Sequence, residues 1–157
     1  MFLGQATVTC DEKWRVPVPA DLRDAVPREV YLTSGIERCI WLLPEEKFKA
    51  LSAALDGEDT LLDPQAHRLQ RHFLGSSYPT KIDGQNRIRI PDALREYIGL
   101  TESDRQVTFV SAGRRVELWN AETYRAYREQ ELTRDNIIDD VHRLGYARGV
   151  SSPPTLI

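Results

Sequence analysis

Apolar and charged residues alternate along Arg87-Ile88-Arg89-Ile90, the period-two pattern of a strand with one buried face, and Arg15-Val16-Pro17-Val18 places its apolar residues on the same alternate positions. Pro17 inside the earlier strand predicts an edge position or a bulge. Pro91 and Pro19 then open short helices at the first helical position, where a missing N–H costs nothing. In the later helix Leu94 and Ile98 share a face and Gly99 supplies a left-handed cap before Leu100. In the earlier one Leu22 and Val26 lie one turn apart and Pro27 stops the helix. Two hairpins follow: Glu29 to Thr33 and Cys39 to Leu43 flank Ser34-Gly35, while Gln106 to Val110 and Arg115 to Trp119 flank Ala112-Gly113. Glycine is expected to supply the positive φ in each turn. Helices with acidic first turns begin at Pro44-Glu45-Glu46 and Asn120-Ala121-Glu122. Phe48, Leu51 and Leu55 form one apolar stripe, Tyr124 and Tyr127 begin another, and both are expected in the core.

Between the two series, Gly57 to Thr60 reads as an exposed linker. Asp63-Pro64 reads as N-cap and first residue of a helix running to Phe73. Near the end Ile137, Val141 and Leu144 share a helical face, with Gly145 and Gly149 predicted to close it, and Ser151-Ser152-Pro153-Pro154 is expected to be disordered.

The two series are copies of one unit. Asp11, Arg15, Pro19 and Leu22-Arg23 each recur 72 residues later as Asp83, Arg87, Pro91 and Leu94-Arg95, without a gap. Phe2-Leu3-Gly4 and Phe73-Leu74-Gly75 precede the copies. Two units are too few for a solenoid, so they imply a duplicated, pseudo-symmetric domain. The division expected is 1–56 for the first repeat, 57–72 for a linker with a short helix, 73–127 for the second repeat, and 128–157 for a C-terminal helix and tail.

Composition narrows the function. The chain has 157 residues, a net charge of −3 and two cysteines. Cys10 and Cys39 lie in no ligand spacing and read as buried free thiols of a reducing cytoplasm. No run approaches the roughly 20 apolar residues that span a bilayer, and no secretory leader is evident. A net negative chain cannot coat nucleic acid through its whole surface. DNA binding therefore requires a local basic patch, with several patches acting together. His67, His72 and His142 lack metal spacing, and neither a phosphate loop nor a nucleophile elbow is present, so no enzyme, metal or cofactor is expected.

The doubled Asp-x-x-x-Arg carries the candidate chemistry. An Asp at the start of a turn binds its own backbone and accepts a charge-assisted bond from the guanidinium, fixing a long side chain in one orientation. A pre-aimed arginine fork matches the two acceptors of a guanine edge in the major groove, a pairing worth about 1–3 kcal/mol of discrimination. Arg15 and Arg87 are the candidate readers, Asp11 and Asp83 their orienting partners, and Lys13, Lys81 and Arg89 the candidate phosphate contacts. A single such pair would be a surface ion pair worth about 0–1 kcal/mol. Its repetition in the same strand–Pro–helix context argues for more.

Ile82-Asp83-Gly84-Gln85-Asn86-Arg87-Ile88-Arg89-Ile90-Pro91, followed by Leu94-Arg95 and Ile98-Gly99-Leu100, resembles the AbrB-type swapped-hairpin DNA-binding motif. Two copies in one chain resemble the bacterial MraZ family, as do the Met1-Phe2-Leu3-Gly4 start, the stretch from Asp63-Pro64 to Gly75, and Leu118-Trp119. The likeness runs to about Tyr127; beyond Arg128 no feature is matched. It implies an α+β fold: a duplicated, pseudo-twofold AbrB-type swapped-hairpin β-barrel with flanking helices. It also implies a cytoplasmic, nucleoid-associated repressor of the division and cell-wall gene cluster heading its own operon. The implied partners are double-stranded DNA, at several short promoter repeats, and further copies of the chain assembled as a ring. By the resemblance Arg15 and Arg87 occupy the DNA-reading positions and Lys13 aligns with a family lysine, while Arg23 and Arg95 stand further off on the short helix.

The chain departs from that pattern at one position. Glycine usually precedes the arginine, because the turn favours positive φ; Asn86 tolerates this conformation and Trp14 tolerates it poorly. The first loop is therefore expected to be remodelled, or Trp14 to pack on DNA sugars or on a neighbouring subunit. Together with the negative charge, Trp14 motivates an alternative: an assembly or partner-binding module of the same fold with weakened DNA binding.

Overall fold

The computed structural model describes residues 3–147. Met1, Phe2, Gly149 and Ser151 to Pro154, singled out above, lie outside them. The first repeat comprises β1 (Gln5–Thr9), β2 (Arg15–Pro17), α1 (Ala20–Arg23), β3 (Glu29–Ser34), β4 (Ile40–Leu43) and α2 (Glu45–Leu55). A 3-10 turn at Glu58–Thr60 and α3 (Pro64–Phe73) lead to the second repeat. Its elements are β5 (Tyr78–Lys81), β6 (Arg87–Arg89), α4 (Asp92–Ile98), β7 (Gln106–Ala112), β8 (Arg115–Asn120) and α5 (Ala121–Glu131), followed by α6 (Arg134–Ala147).

The repeats do not fold side by side; they exchange strands. Six antiparallel strands run in the order β1-β7-β8-β4-β3-β5. Replacing every strand by its counterpart in the other repeat reverses that order and leaves it unchanged. β1 of the first repeat pairs with β7 of the second, Gln5 opposite Val110, and β5 of the second pairs with β3 of the first, Lys81 opposite Glu29. The hairpins meet where β4 pairs with β8, Ile40 opposite Leu118. A separate two-stranded ribbon joins β2 to β6, with Arg15 opposite Arg89, Val16 opposite Ile88 and Pro17 opposite Arg87. Each ribbon strand has one free edge, so Pro17 breaks no wider ladder.

Alternation explains how the ribbon sits. Val16 and Ile88 are wholly buried, and they join Val18, Leu22, Leu32, Leu42, Ile90, Leu94 and Phe109 in one core drawn from both repeats. Arg15, Arg87 and Arg89 occupy the other face. Residues up to Ala121 form one compact unit, and those from Glu122 a second.

Local signals behave as their chemistry requires, with corrections at Gly35, the aromatic stripes and Gly145. Asp63 accepts from the Gln65 amide at 2.9 Å and caps α3, and Gly99 closes α4 at φ 73°. Gly113 has the expected φ of 70°, but Gly35 does not; in the first hairpin Arg38 takes the positive value, 58°. Gly35 is needed for space instead, since a Cβ there would lie 2.5 Å from Trp41 Nε1. The aromatic stripes are not core: Phe48, Leu51, Leu55, Tyr124 and Tyr127 are only half-buried, with Phe48 stacked on Tyr31 at 4.1 Å. Gly145 lies inside α6, whose following residues continue the helix to Ala147 at a glycine cost of about 1 kcal/mol. The Gly57–Thr60 linker is exposed yet ordered into a turn, with Thr60 Oγ1 donating to the Gly57 carbonyl at 2.7 Å.

Candidate nucleic-acid interface

Each Asp-x-x-x-Arg segment is a tight loop entering a ribbon strand, and the two loops make the same bonds. Asp11 Oδ1 accepts from the amides of Lys13 and Arg15, both at 2.9 Å, and its Oδ2 accepts from Arg15 Nε at 2.7 Å. Asp83 Oδ1 accepts from the amides of Gln85 and Arg87, at 2.8 and 2.9 Å, and its Oδ2 from Arg87 Nε at 2.9 Å. Backbone bonds from Asp11 N to Arg15 O and from Trp14 N to Asp11 O recur between Asp83 and Arg87 and between Asn86 and Asp83. One carboxylate thus ties the loop and aims the guanidinium.

Electrostatics follow from that bonding. The Arg15 amide, against an opposing loss of hydration, holds the Asp11 carboxyl below the usual carboxylate range, helped by the Arg15 guanidinium and the Lys13 amide. Partial desolvation pushes the Asp83 carboxyl up, but the amides of Arg87 and Gln85 and the Arg87 guanidinium outweigh it and the net shift is downward. Both acids stay ionised at neutral pH, and both arginines keep a charged partner. Each bond uses Nε. The Nη groups of Arg15 donate no hydrogen bond among the described residues, and Arg87 Nη1 lies 3.9 Å from Asp11 Oδ2. Arg15 and Arg87 therefore flank Asp11 as neighbours, with side chains 30% and 26% exposed. This arrangement presents two oriented donor forks on one face.

The other candidates divide. Lys13 is exposed on the first loop, beside Arg15. Arg89 is exposed directly opposite Arg15 in the ribbon and lies 3.5 Å from Asp92. Lys81, 3.3 Å from Glu29, shares an open groove of about 630 Å³ with Arg89. Arg23, in contrast, donates through Nε to the Val18 carbonyl at 2.9 Å. The first loop is not remodelled: Trp14 adopts φ 62° beside 58° for Asn86. Its ring packs on the protein's own core, with the guanidinium carbons of Arg95 and Arg105 at 4.4 and 4.2 Å from its centroid. Arg95 is also paired with Asp92 and only 19% exposed. A left-handed tryptophan costs about 1–2 kcal/mol, and this packing offsets it.

Sequence reasoning missed Arg28 and Arg105. Arg105 Nη1 donates to the Asp11 carbonyl at 2.7 Å. Arg28 Nη2 donates to the Asp83 carbonyl at 2.6 Å, and its Nη1 to Asn86 Oδ1 at 2.7 Å. The signal was available, because Arg28-Glu29-Val30 and Arg105-Gln106-Val107 both open a third strand. The offset there has grown to 77 residues, so a search at 72 passes over it.

Among the described residues one cluster has the spacing of metal ligands, and part of it is already engaged. Glu37, Cys39 and Glu117 offer ligand atoms within 4.8 Å of one another. Glu117, however, already accepts from Arg115 Nε and Trp119 Nε1, each at 3.0 Å. Burial above all pushes the Cys39 thiol up, which keeps it protonated. Cys10 is likewise buried, its thiol pushed up to about 11 chiefly by burial. No helix among the described residues is long and apolar enough to cross a membrane.

Comparison with known proteins agrees with the duplicated geometry. The family model for the MraZ protein matches twice, over residues 1–72 and 73–144, so the second match continues past Arg128, where sequence reading found no likeness. A transcriptional regulator MraZ of Micrococcus luteus is 37% identical over 142 residues, covering 90% of this chain and 96% of its own. That of Kineococcus radiotolerans is 35% identical, covering 83% and 88% respectively, and that of a Marinomonas species is 33% identical, covering 88% and 93%. With both repeats matched and near-complete coverage at these identities, the chain belongs to the MraZ family.

Proposed function

We propose that this chain is a sequence-specific transcriptional regulator that binds double-stranded DNA and represses the division and cell-wall gene cluster heading its own operon. Arg15 and Arg87 read base edges; Lys13, Lys81 and Arg89 contact phosphates; Asp11 and Asp83 hold the readers in place. The observation that carries this reading is the pair of Asp-anchored guanidinium groups on one face of the β2–β6 ribbon, each tied to its aspartate through Nε, which leaves its two Nη groups outside that bond. Arginine fixed in this manner loses little rotamer freedom on meeting a guanine edge, which is where preorganisation adds affinity.

With a net charge of −3, a single subunit has little general attraction for phosphate. A ring of subunits engaging several promoter repeats multiplies a weak local contact through effective concentration. Relatives named as transcriptional regulators support the reading. The test is binding of the promoter region by wild type, Arg15→Ala, Arg87→Ala and the double variant at matched salt. Each single variant should weaken binding about tenfold and the double variant should abolish preference for the promoter. A double variant that binds as tightly as wild type removes these arginines from the interface. No wild-type binding even at low salt favours the assembly module instead.

A further inference from the structure

We infer that Arg28 and Arg105 are positioning residues through which each repeat fixes the recognition loop of the other. The inference rests on the DNA-reading role proposed above and extends it to residues outside the motif. Arg105 belongs to the second repeat and grips the first loop: Nη1 holds the Asp11 carbonyl at 2.7 Å, and the guanidinium lies 4.2 Å from the Trp14 ring centroid. Its own direction is set by Glu102, whose carbonyl accepts from Nε at 3.1 Å and whose carboxylate accepts from Nη2 at 2.6 Å. Arg28 belongs to the first repeat and grips the second loop, through the Asp83 carbonyl and the Asn86 side chain. The backbone repeats the relation, with Cys10 N bonded to Arg105 O and Ile82 N to Arg28 O, both at 2.8 Å.

In each case the gripped carbonyl belongs to the aspartate whose carboxylate aims the reading arginine. A displaced carbonyl moves that carboxylate and hence the fork, and a displacement of about 1 Å is enough to spoil bidentate recognition. Because the struts cross between repeats, neither loop is set by its own repeat alone. The reading geometry exists only in the intertwined fold.

Two measurements on the full chain test this, using Arg28→Met, Arg105→Met and the corresponding lysine variants. The first is amide hydrogen exchange of the DNA-free protein. Arg28→Met should speed exchange at Gln85 and Arg87, and Arg105→Met at Lys13 and Arg15, each leaving the opposite loop unchanged. Unaltered loops, or acceleration spread evenly through the core, overturn the inference. The second is binding to the promoter repeat and to single-base variants across a salt series. Discrimination should fall about tenfold with the salt slope unchanged, and lysine should restore part of it. A slope reduced by about 1 with discrimination intact identifies a plain phosphate contact and also overturns it. Should wild type show no promoter preference, the regulator reading fails, while the exchange pattern still decides whether the struts hold the loops.

Discussion

Replacing Trp14 by glycine, the residue usual before the arginine, should destabilise this protein although it relieves backbone strain. Trp14 sits at φ 62°, where an L-residue pays about 1–2 kcal/mol that glycine does not. Against that gain stands the loss of the ring. Truncating a buried aromatic costs about 3–5 kcal/mol, and a half-buried one roughly half as much. The guanidinium groups at 4.4 and 4.2 Å add about 0.5–1 kcal/mol each. The balance is a net loss of about 2 kcal/mol. At Asn86 the same change removes only one bond, from Arg28 at 2.7 Å, worth about 1 kcal/mol, and relieves milder strain. Asn86→Gly should therefore be close to neutral. Urea unfolding at one fixed protein concentration measures both, so that any self-association shifts every midpoint alike. A Trp14→Gly variant at least as stable as wild type would refute the reasoning: the stacked guanidinium groups would then contribute less than the strain.

Two further outcomes are expected. The Asp11 and Asp83 carboxyls titrate below their unfolded values, so their contribution is complete above the ordinary carboxylate range and is lost as pH falls through the depressed folded values. The stability gap between wild type and an Asp11→Asn, Asp83→Asn variant, followed by urea midpoints, should be constant near neutrality and close in that acid window; a gap that persists below it contradicts the bonding described. Gly35→Ala forces a Cβ to 2.5 Å from Trp41 Nε1 and 2.8 Å from Cys39 Sγ, costing about 1–3 kcal/mol, whereas Gly84→Ala meets nothing within 4 Å and should change the thermal midpoint far less.

The repeat, the element order and the paired Asp–Arg loops were legible in the sequence because each rests on local chemistry: a capping side chain, a proline at a helix start, an alternating strand. Strand exchange was not. Periodicity shows which face of a strand turns inward but not which strand lies beside it, and the swap came only through the family likeness. Arg28 and Arg105 were hidden for the same reason, since their bonds join residues 55 and 94 positions apart. Gly35 was misread because a glycine serves equally for positive φ and for space, and only Trp41 decides between them. For Trp14 the sequence showed the backbone cost but not what offsets it within the chain. The offsetting contacts come from Arg95 and Arg105, which a linear reading cannot bring to it.

The most direct test of two aspartate-held arginines reading guanine is a cycle between protein and base. A promoter repeat located by footprinting is prepared with 7-deazaguanine at each guanine in turn, which removes the N7 acceptor and leaves the phosphates untouched. Wild type should lose about tenfold in affinity at the contacted guanines, and the Arg15→Ala, Arg87→Ala protein should lose nothing more there. Equal losses in both proteins, or none in wild type, would contradict the account.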